Sequence, residues 1–167
     1  MRPPHRHTVV LPSGRFEAAS PRARLGARLL DTLIVGTPVG IAAAFILTDA
    51  AREPGRTASD RGAEALVLIA LLAFAVSAAY EIGLTATQGA TFGKRVVGIH
   101  VVDADTAAAP GSGIGYGAAW TRWAVLFLPT LVCELWTPLC ALSVYLGGPA
   151  RQGWHDRAAK TYVITDR

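Results

Sequence analysis

Three acidic residues stand where acids are scarce. Asp31, Glu81 and Glu134 each lie inside or at the end of a long apolar run. An ionised side chain is costly in hydrocarbon, so in a membrane-embedded segment it faces a bundle interior, a water-filled space or a paired charge. Arg28 precedes Asp31 by three residues and Arg24 precedes it by seven, spacings that bring all three to one helix face. Such a cluster reads as an ion or substrate contact, with Asp31 as a titrating carboxylate and the arginines tuning it. The same spacing also fits an internal Arg28–Asp31 salt bridge that only sets helix depth. Glu81 closes its apolar run and reads first as an interfacial carboxylate. Glu134, in LPTLVCELWTPLC, stands either near a hairpin tip in water or deep in lipid, where it needs a partner such as Arg122 or a bound cation.

Other chemistry is excluded by spacing. Gly93-Lys94-Arg95 has part of a phosphate-binding loop, but that loop needs Gly where this chain has Gln88 and Ser or Thr where it has Arg95. His155-Asp156 is an isolated pair without further metal ligands beside it. Cys133 and Cys140 lie in an apolar run without Cys-x-x-Cys spacing, and read as small buried apolar residues. There is no Gly-x-Ser-x-Gly nucleophile elbow. The expectation is a protein with no metal, no cofactor and no enzymatic constellation.

The elements that position these residues follow from composition. Of 167 residues, 51% are apolar and 17% are charged, against about 25% charged in soluble domains. The charges crowd between long stretches that have none, as in a chain whose middle sits in lipid and whose ends sit in water. The net charge is +4, from fourteen Arg and two Lys against twelve acids. No dense basic patch exists, so lipid headgroups suit this surface better than nucleic acid. Residues 1–21 are Arg-rich and polar and are expected to be disordered. Apolar runs over about 25–48, 65–87 and 118–147 are each long enough to cross a hydrocarbon core of about 30 Å. The first is read as a retained span, because a signal peptide has a shorter apolar core nearer the start. Residues 88–117 hold seven of the seventeen glycines. Within them Val96 to Val102 reads as a strand and Asp103 to Gly117 as a loop. Thr161 to Thr165 reads as a second strand able to pair with the first. Trp120, Trp123, Trp136, Tyr145 and Trp154 suit headgroup-level anchoring.

Lys and Arg collect on the cytoplasmic side of membranes. Six Arg in the first 28 residues place the N-terminus inside, the first loop outside and the second loop, with Lys94 and Arg95, inside. The basic tail belongs inside only if residues 118–147 form a broken, hairpin-like region. Pro129 and Pro138, on either side of Glu134, favour such a break. The expected fold is an all-α membrane protein with three to four transmembrane helices and a small cytoplasmic two-stranded β element.

Three segments together resemble the RDD family of bacterial membrane proteins. RLGARLLDTLI (24–34) is similar to that family's opening Arg with an Asp seven residues on. GATFGKRVVGIHVVDAD (89–105) is similar to its Gly-Lys-Arg loop, apolar strand and Asp. RQGWHDRAAKTYVI (151–164) is similar to its closing His-Asp motif before a Thr and a short strand. Arg24, Asp31 and Asp156 match the three residues that name the family, and the likeness covers about 22–165. Arg28 departs from the apolar spacing usual between the first two.

The resemblance implies a multi-pass protein of the bacterial cytoplasmic membrane, with transport of unknown ligands suggested and no enzyme chemistry. From the residues, Arg24, Arg28, Asp31 and Asp156 are the candidate contacts for an ion or small solute, with Glu134, Lys94 and Arg95 behind them. A transport role for so few spans calls for a homo-oligomer or a membrane partner. The alternative is a non-catalytic scaffold that docks a partner or anionic lipid on its cytoplasmic face.

Overall fold

The computed structural model describes residues 7–52, 58–105, 111–133 and 135–166. Two long helices dominate it. Helix α1, Pro21–Arg52, starts where Ser20 Oγ accepts the Ala23 N–H at 3.1 Å and Pro21 presets the first turn. Helix α2, Ala58–Gln88, runs back beside it. At 1.5 Å per residue each is about 45–50 Å long, more than a hydrocarbon core requires. Pro38 sits inside α1, a position that neighbouring helices or local adjustment make tolerable in membrane helices. Almost none of either apolar stretch is buried. Leu33 (64% exposed), Phe45 (73%), Leu66 (62%) and Leu71 (61%) face outward. Apolar surface so extensive is foreign to a soluble monomer and natural in contact with acyl chains.

The start of α1 and the end of α2 carry the rest of the described chain. After Gly89, the short helix α3 (Phe92–Val97) is capped by Thr91, whose Oγ1 accepts the Lys94 N–H, and ended by Gly98 in the left-handed conformation (φ 70). Strand β3 follows at Ile99–Asp103 and pairs antiparallel with β4, Thr161–Thr165, so that Ile99 faces Thr165 and Asp103 faces Thr161. The strand expected over Val96 to Val102 is therefore corrected. Its first residues finish a helix, because Thr91 and Gly98 form caps that outweigh the β-branched Val96-Val97.

Two further expectations change. Residues 1–21 were expected to be disordered, yet β1 (Thr8–Leu11) and β2 (Gly14–Glu17) form an antiparallel hairpin. Val9 and Leu11 gain a reason to order by packing with Ala18, Val102 and Ile164. A bridge from Ala18 to Ile164 sets this hairpin beside the β3–β4 ribbon. The fold thus has two small sheets instead of one.

The region 118–147 is broken. Helix α4 spans Gly115–Phe127, and α5 spans Trp136–Leu142. Pro129 lies in a 3₁₀ turn after α4, and Pro138 falls in the first turn of α5, where its missing N–H costs little. Helix α5 folds back on the end of α4: Trp136 Nε1 donates to the Val125 carbonyl at 2.7 Å, and Thr137 Oγ1 donates to that of Leu126 at 3.1 Å. Trp123, expected at the headgroup level, is 1% exposed and packs edge-on against Phe74 of α2 at 4.8 Å. A last short helix, α6 (Trp154–Ala158), precedes β4.

Candidate functional site

Arg24, Arg28 and Asp31 of α1, Glu81 of α2, Lys94 of α3, Arg122 of α4 and Asp156 of α6 converge where α1 begins and α2 ends, in three groups. The first centres on Asp156, which is fully buried. Arg24 Nη1 donates to its Oδ2 at 2.5 Å, and Arg122 donates to its Oδ1. The Gly153 N–H also donates to Oδ2, at 3.1 Å. Arg122 reaches on to Thr161 Oγ1 at 2.6 Å, and Arg24 Nη2 donates to the Arg151 carbonyl at 2.7 Å. Arg151 holds that carbonyl in place from a left-handed backbone conformation (φ 47), which costs an L-residue roughly 1–2 kcal/mol. Burial alone raises the Asp156 carboxyl, but Arg122 and Arg24 outweigh it and hold it well below the usual carboxylate range. His155 Nε2 lies 3.2 Å from Asp156 Oδ1. Burial lowers this imidazole to about 4 against the pull of Asp156, so it is neutral at pH 7. A neutral ring can donate from Nε2 to Asp156 and accept at Nδ1 from the Cys140 thiol, 3.4 Å away. Cys140 is itself fully buried, which keeps it from solvent-borne partners.

The second group centres on Glu81, 8% exposed. Arg28 Nη1 donates to one of its oxygens at 2.6 Å and Lys94 Nζ approaches the other at 3.4 Å. Burial lowers the Lys94 ammonium to about 8, against the pull of Glu81. The third group centres on Asp31. Tyr80 OH donates to Oδ1 at 2.7 Å, Thr91 Oγ1 donates to Oδ2 at 2.7 Å, and the Gly93 N–H donates to Oδ1 at 2.9 Å. Gly93 is needed here: a Cβ on it would fall 2.7 Å from Asp31 Oδ1 and collide with the Ala27 carbonyl. No side chain larger than hydrogen lets α3 lie this close to α1.

The sequence model of the RDD family matches residues 18–160. The chain belongs to the RDD family. No curated protein and no solved structure matches it. In this RDD chain the three naming positions do not form one triad. Arg24 and Asp156 are bonded to each other, while Asp31 is held separately by α2 and α3.

The candidate residues are therefore redistributed. The expected Arg28–Asp31 couple is replaced by Arg28–Glu81, because the facing helix offers a carboxylate that Arg28 reaches more directly than its own helix does. Glu81, read as a bland interfacial acid, is the hub of the second group. Arg122, considered only as a partner for Glu134, is the second cation on Asp156. Lys94 joins Glu81. Arg95 does not reach the cluster; it is exposed and stacks over Phe92 at 5.5 Å. Glu134 lies outside the described residues. The overlooked signal was scarcity: Glu81 is the sole acid in 65–87 and Arg122 the sole base in 118–147, and each therefore needed a partner from elsewhere.

Beside the cluster lies a cavity of about 160 Å³ between α1, α4 and α5. Arg24, Arg28, Lys94 and Arg122 line it together with His155, and no carboxylate among the described residues does. Its remaining walls are apolar, including Leu25, Leu126 and Leu142.

Proposed function

We propose that this RDD protein is a multi-pass protein of the bacterial cytoplasmic membrane that contacts a small anionic solute as a subunit of a transport assembly. The observation that carries this reading is the cavity lining, with four cations and no carboxylate among the described residues. Asp31, Glu81 and Asp156 stand behind the cations and offset three of the four positive charges. An anion in the cavity meets the remaining charge where the surroundings are apolar and Coulomb attraction exceeds that in water. Asp31, whose hydrogen-bond partners are all neutral donors, is the candidate contact for a coupling proton or cation.

The topology proposed has α1 and α2 as spans and both termini cytoplasmic. The Arg-rich N-terminal flank supports the orientation, and the Ala18–Ile164 bridge favours a tail on the same side. With 13 and 7 residues, α4 and α5 are shorter than the roughly 20 residues a crossing needs, which favours a segment that enters from the inner face and returns. Two spans enclose no pore, so transport requires further helices from copies of the chain or from a membrane partner.

The test uses purified protein titrated with inorganic phosphate and with acetate. Thermal unfolding is read first, and uptake of the labelled anions into proteoliposomes second. Wild type is expected to be stabilised by one of these anions and to carry it, and Arg28→Gln to weaken both effects. No stabilisation and no uptake by wild type overturns the reading. A second reading, a non-catalytic scaffold, is favoured by the lack of charge in Thr32–Thr48 and Ala65–Tyr80. Sodium and proton flux, compared between wild type and Asp31→Asn, addresses it: no flux from either protein favours the scaffold.

A further inference from the structure

A second, wider cleft of about 620 Å³ opens where α1 begins. His7, Ser20, Arg22, Tyr145 and Arg151 line it, and again no carboxylate among the described residues does. Neither Arg22 nor the Arg151 side chain has an ion-pair partner among the described residues. His7 has a buried Nδ1 without a hydrogen-bond partner among the described residues. Pro21, Val144 and Tyr145 border both this cleft and the inner cavity. Beyond that shared wall stand Leu25 and Leu142, apolar and more than half exposed. The cleft therefore joins an uncompensated basic floor to an apolar flank, at the end of a span where hydrocarbon gives way to headgroups.

We propose that this cleft binds the headgroup of an anionic phospholipid, with its phosphate between Arg22 and Arg151 and its acyl chains along Leu25 and Leu142. Guanidinium groups pair with phosphate oxygens in a planar, two-pronged geometry. A free phosphate matches the arginines but leaves the apolar flank unused, whereas a phospholipid satisfies both. The proposal goes beyond solute binding, because it uses a different cleft and different cations and holds whether or not the chain transports anything.

The test is lipid binding to the full chain in phosphatidylcholine nanodiscs or detergent, read by native mass spectrometry. The probes are phosphatidylglycerol, phosphatidylcholine and inorganic phosphate. Wild type is expected to retain phosphatidylglycerol over phosphatidylcholine. Arg22→Gln with Arg151→Gln is expected to weaken phosphatidylglycerol binding on the order of tenfold or more and to leave phosphatidylcholine unaffected. Arg95→Gln with Arg157→Gln removes the same charge from exposed sites elsewhere and is expected to keep the preference. Unfolding temperature in phosphatidylcholine reports whether the double variant is folded. If it is not, Arg22→Gln alone, at an exposed position, is read in the same way. An equal loss in the Arg95/Arg157 variant overturns the proposal, because general surface charge then explains the binding. So does the absence of a phosphatidylglycerol preference in wild type. Displacement of the lipid by inorganic phosphate at equal concentration also overturns it, in favour of a free-anion site.

Discussion

From Thr32 to Thr48 in α1 and from Ala65 to Tyr80 in α2 the chain carries no charge, and Leu33, Phe45, Leu68 and Leu71 stand exposed. Within about two turns of those stretches, Arg24, Arg28, Asp31 and Glu81 on the same two helices are each bonded to a residue distant in sequence. In lipid, apolar side chains gain little by leaving acyl chains for each other. The uncharged lengths can therefore be composed for solubility among acyl chains, with few demands on their neighbours. The charged ends must specify the fold, and they do so with charge, where a wrong partner is costly. Composition is tuned in one region and pairing in the other.

Substitutions test this division, the largest effect coming from Asp156. Asp156→Ala strands Arg24 and Arg122 against each other in a buried site and is expected to cost roughly 3–5 kcal/mol, read as loss of monodisperse protein in detergent. Near-wild-type yield would break the comparison. Glu81→Gln leaves Lys94 buried and Arg28 partly solvated. Because the Arg28 side chain is a third exposed, the expected loss is smaller, about 1–3 kcal/mol, read by thermal unfolding. The third effect is one of pH. The unfolded chain protonates His155 near 6.5, whereas the folded chain does so only near 4. The unfolded state binds more protons across that window, so stability falls as pH drops from 6.5 to 4. His155→Asn is expected to flatten this part of the stability profile, and an unchanged slope would count against the buried neutral ring. The smallest effect belongs to the uncharged lengths: Leu68→Ala is expected to change stability by less than about 0.5 kcal/mol. A loss of about 2 kcal/mol would mean that this face packs against protein, and would sharpen the case for an oligomer.

The two long helices were legible in the sequence because absence of charge over some twenty residues has one dominant physical reading. The strand Thr161–Thr165 was legible from its β-branched run between polar flanks. Partner choice within the cluster was not. Helical spacing makes Arg28 and Asp31 neighbours, but it is blind to Glu81, which the second helix brings to the same depth. Likewise Arg122 stands 34 residues from Asp156, a separation that carries no local pattern. The hairpin at 8–17 escaped for a related reason. Its two buried side chains, Val9 and Leu11, form too short an alternation to be read, and they order against Ala18, Val102 and Ile164. Phe92–Val97 misled through propensity, since two adjacent valines argue for a strand until the caps on either side are recognised.

The bridge between Ala18 and Ile164 bears on how the molecule is made. Its halves leave the ribosome almost a whole chain apart, as do Arg24 and Asp156, 132 residues distant. Both long helices are synthesised before the acid that ties Arg24 exists. Closure must therefore follow synthesis of both long helices, and until α6 is made Arg24 lacks its carboxylate, with water and lipid phosphates at hand to shelter it.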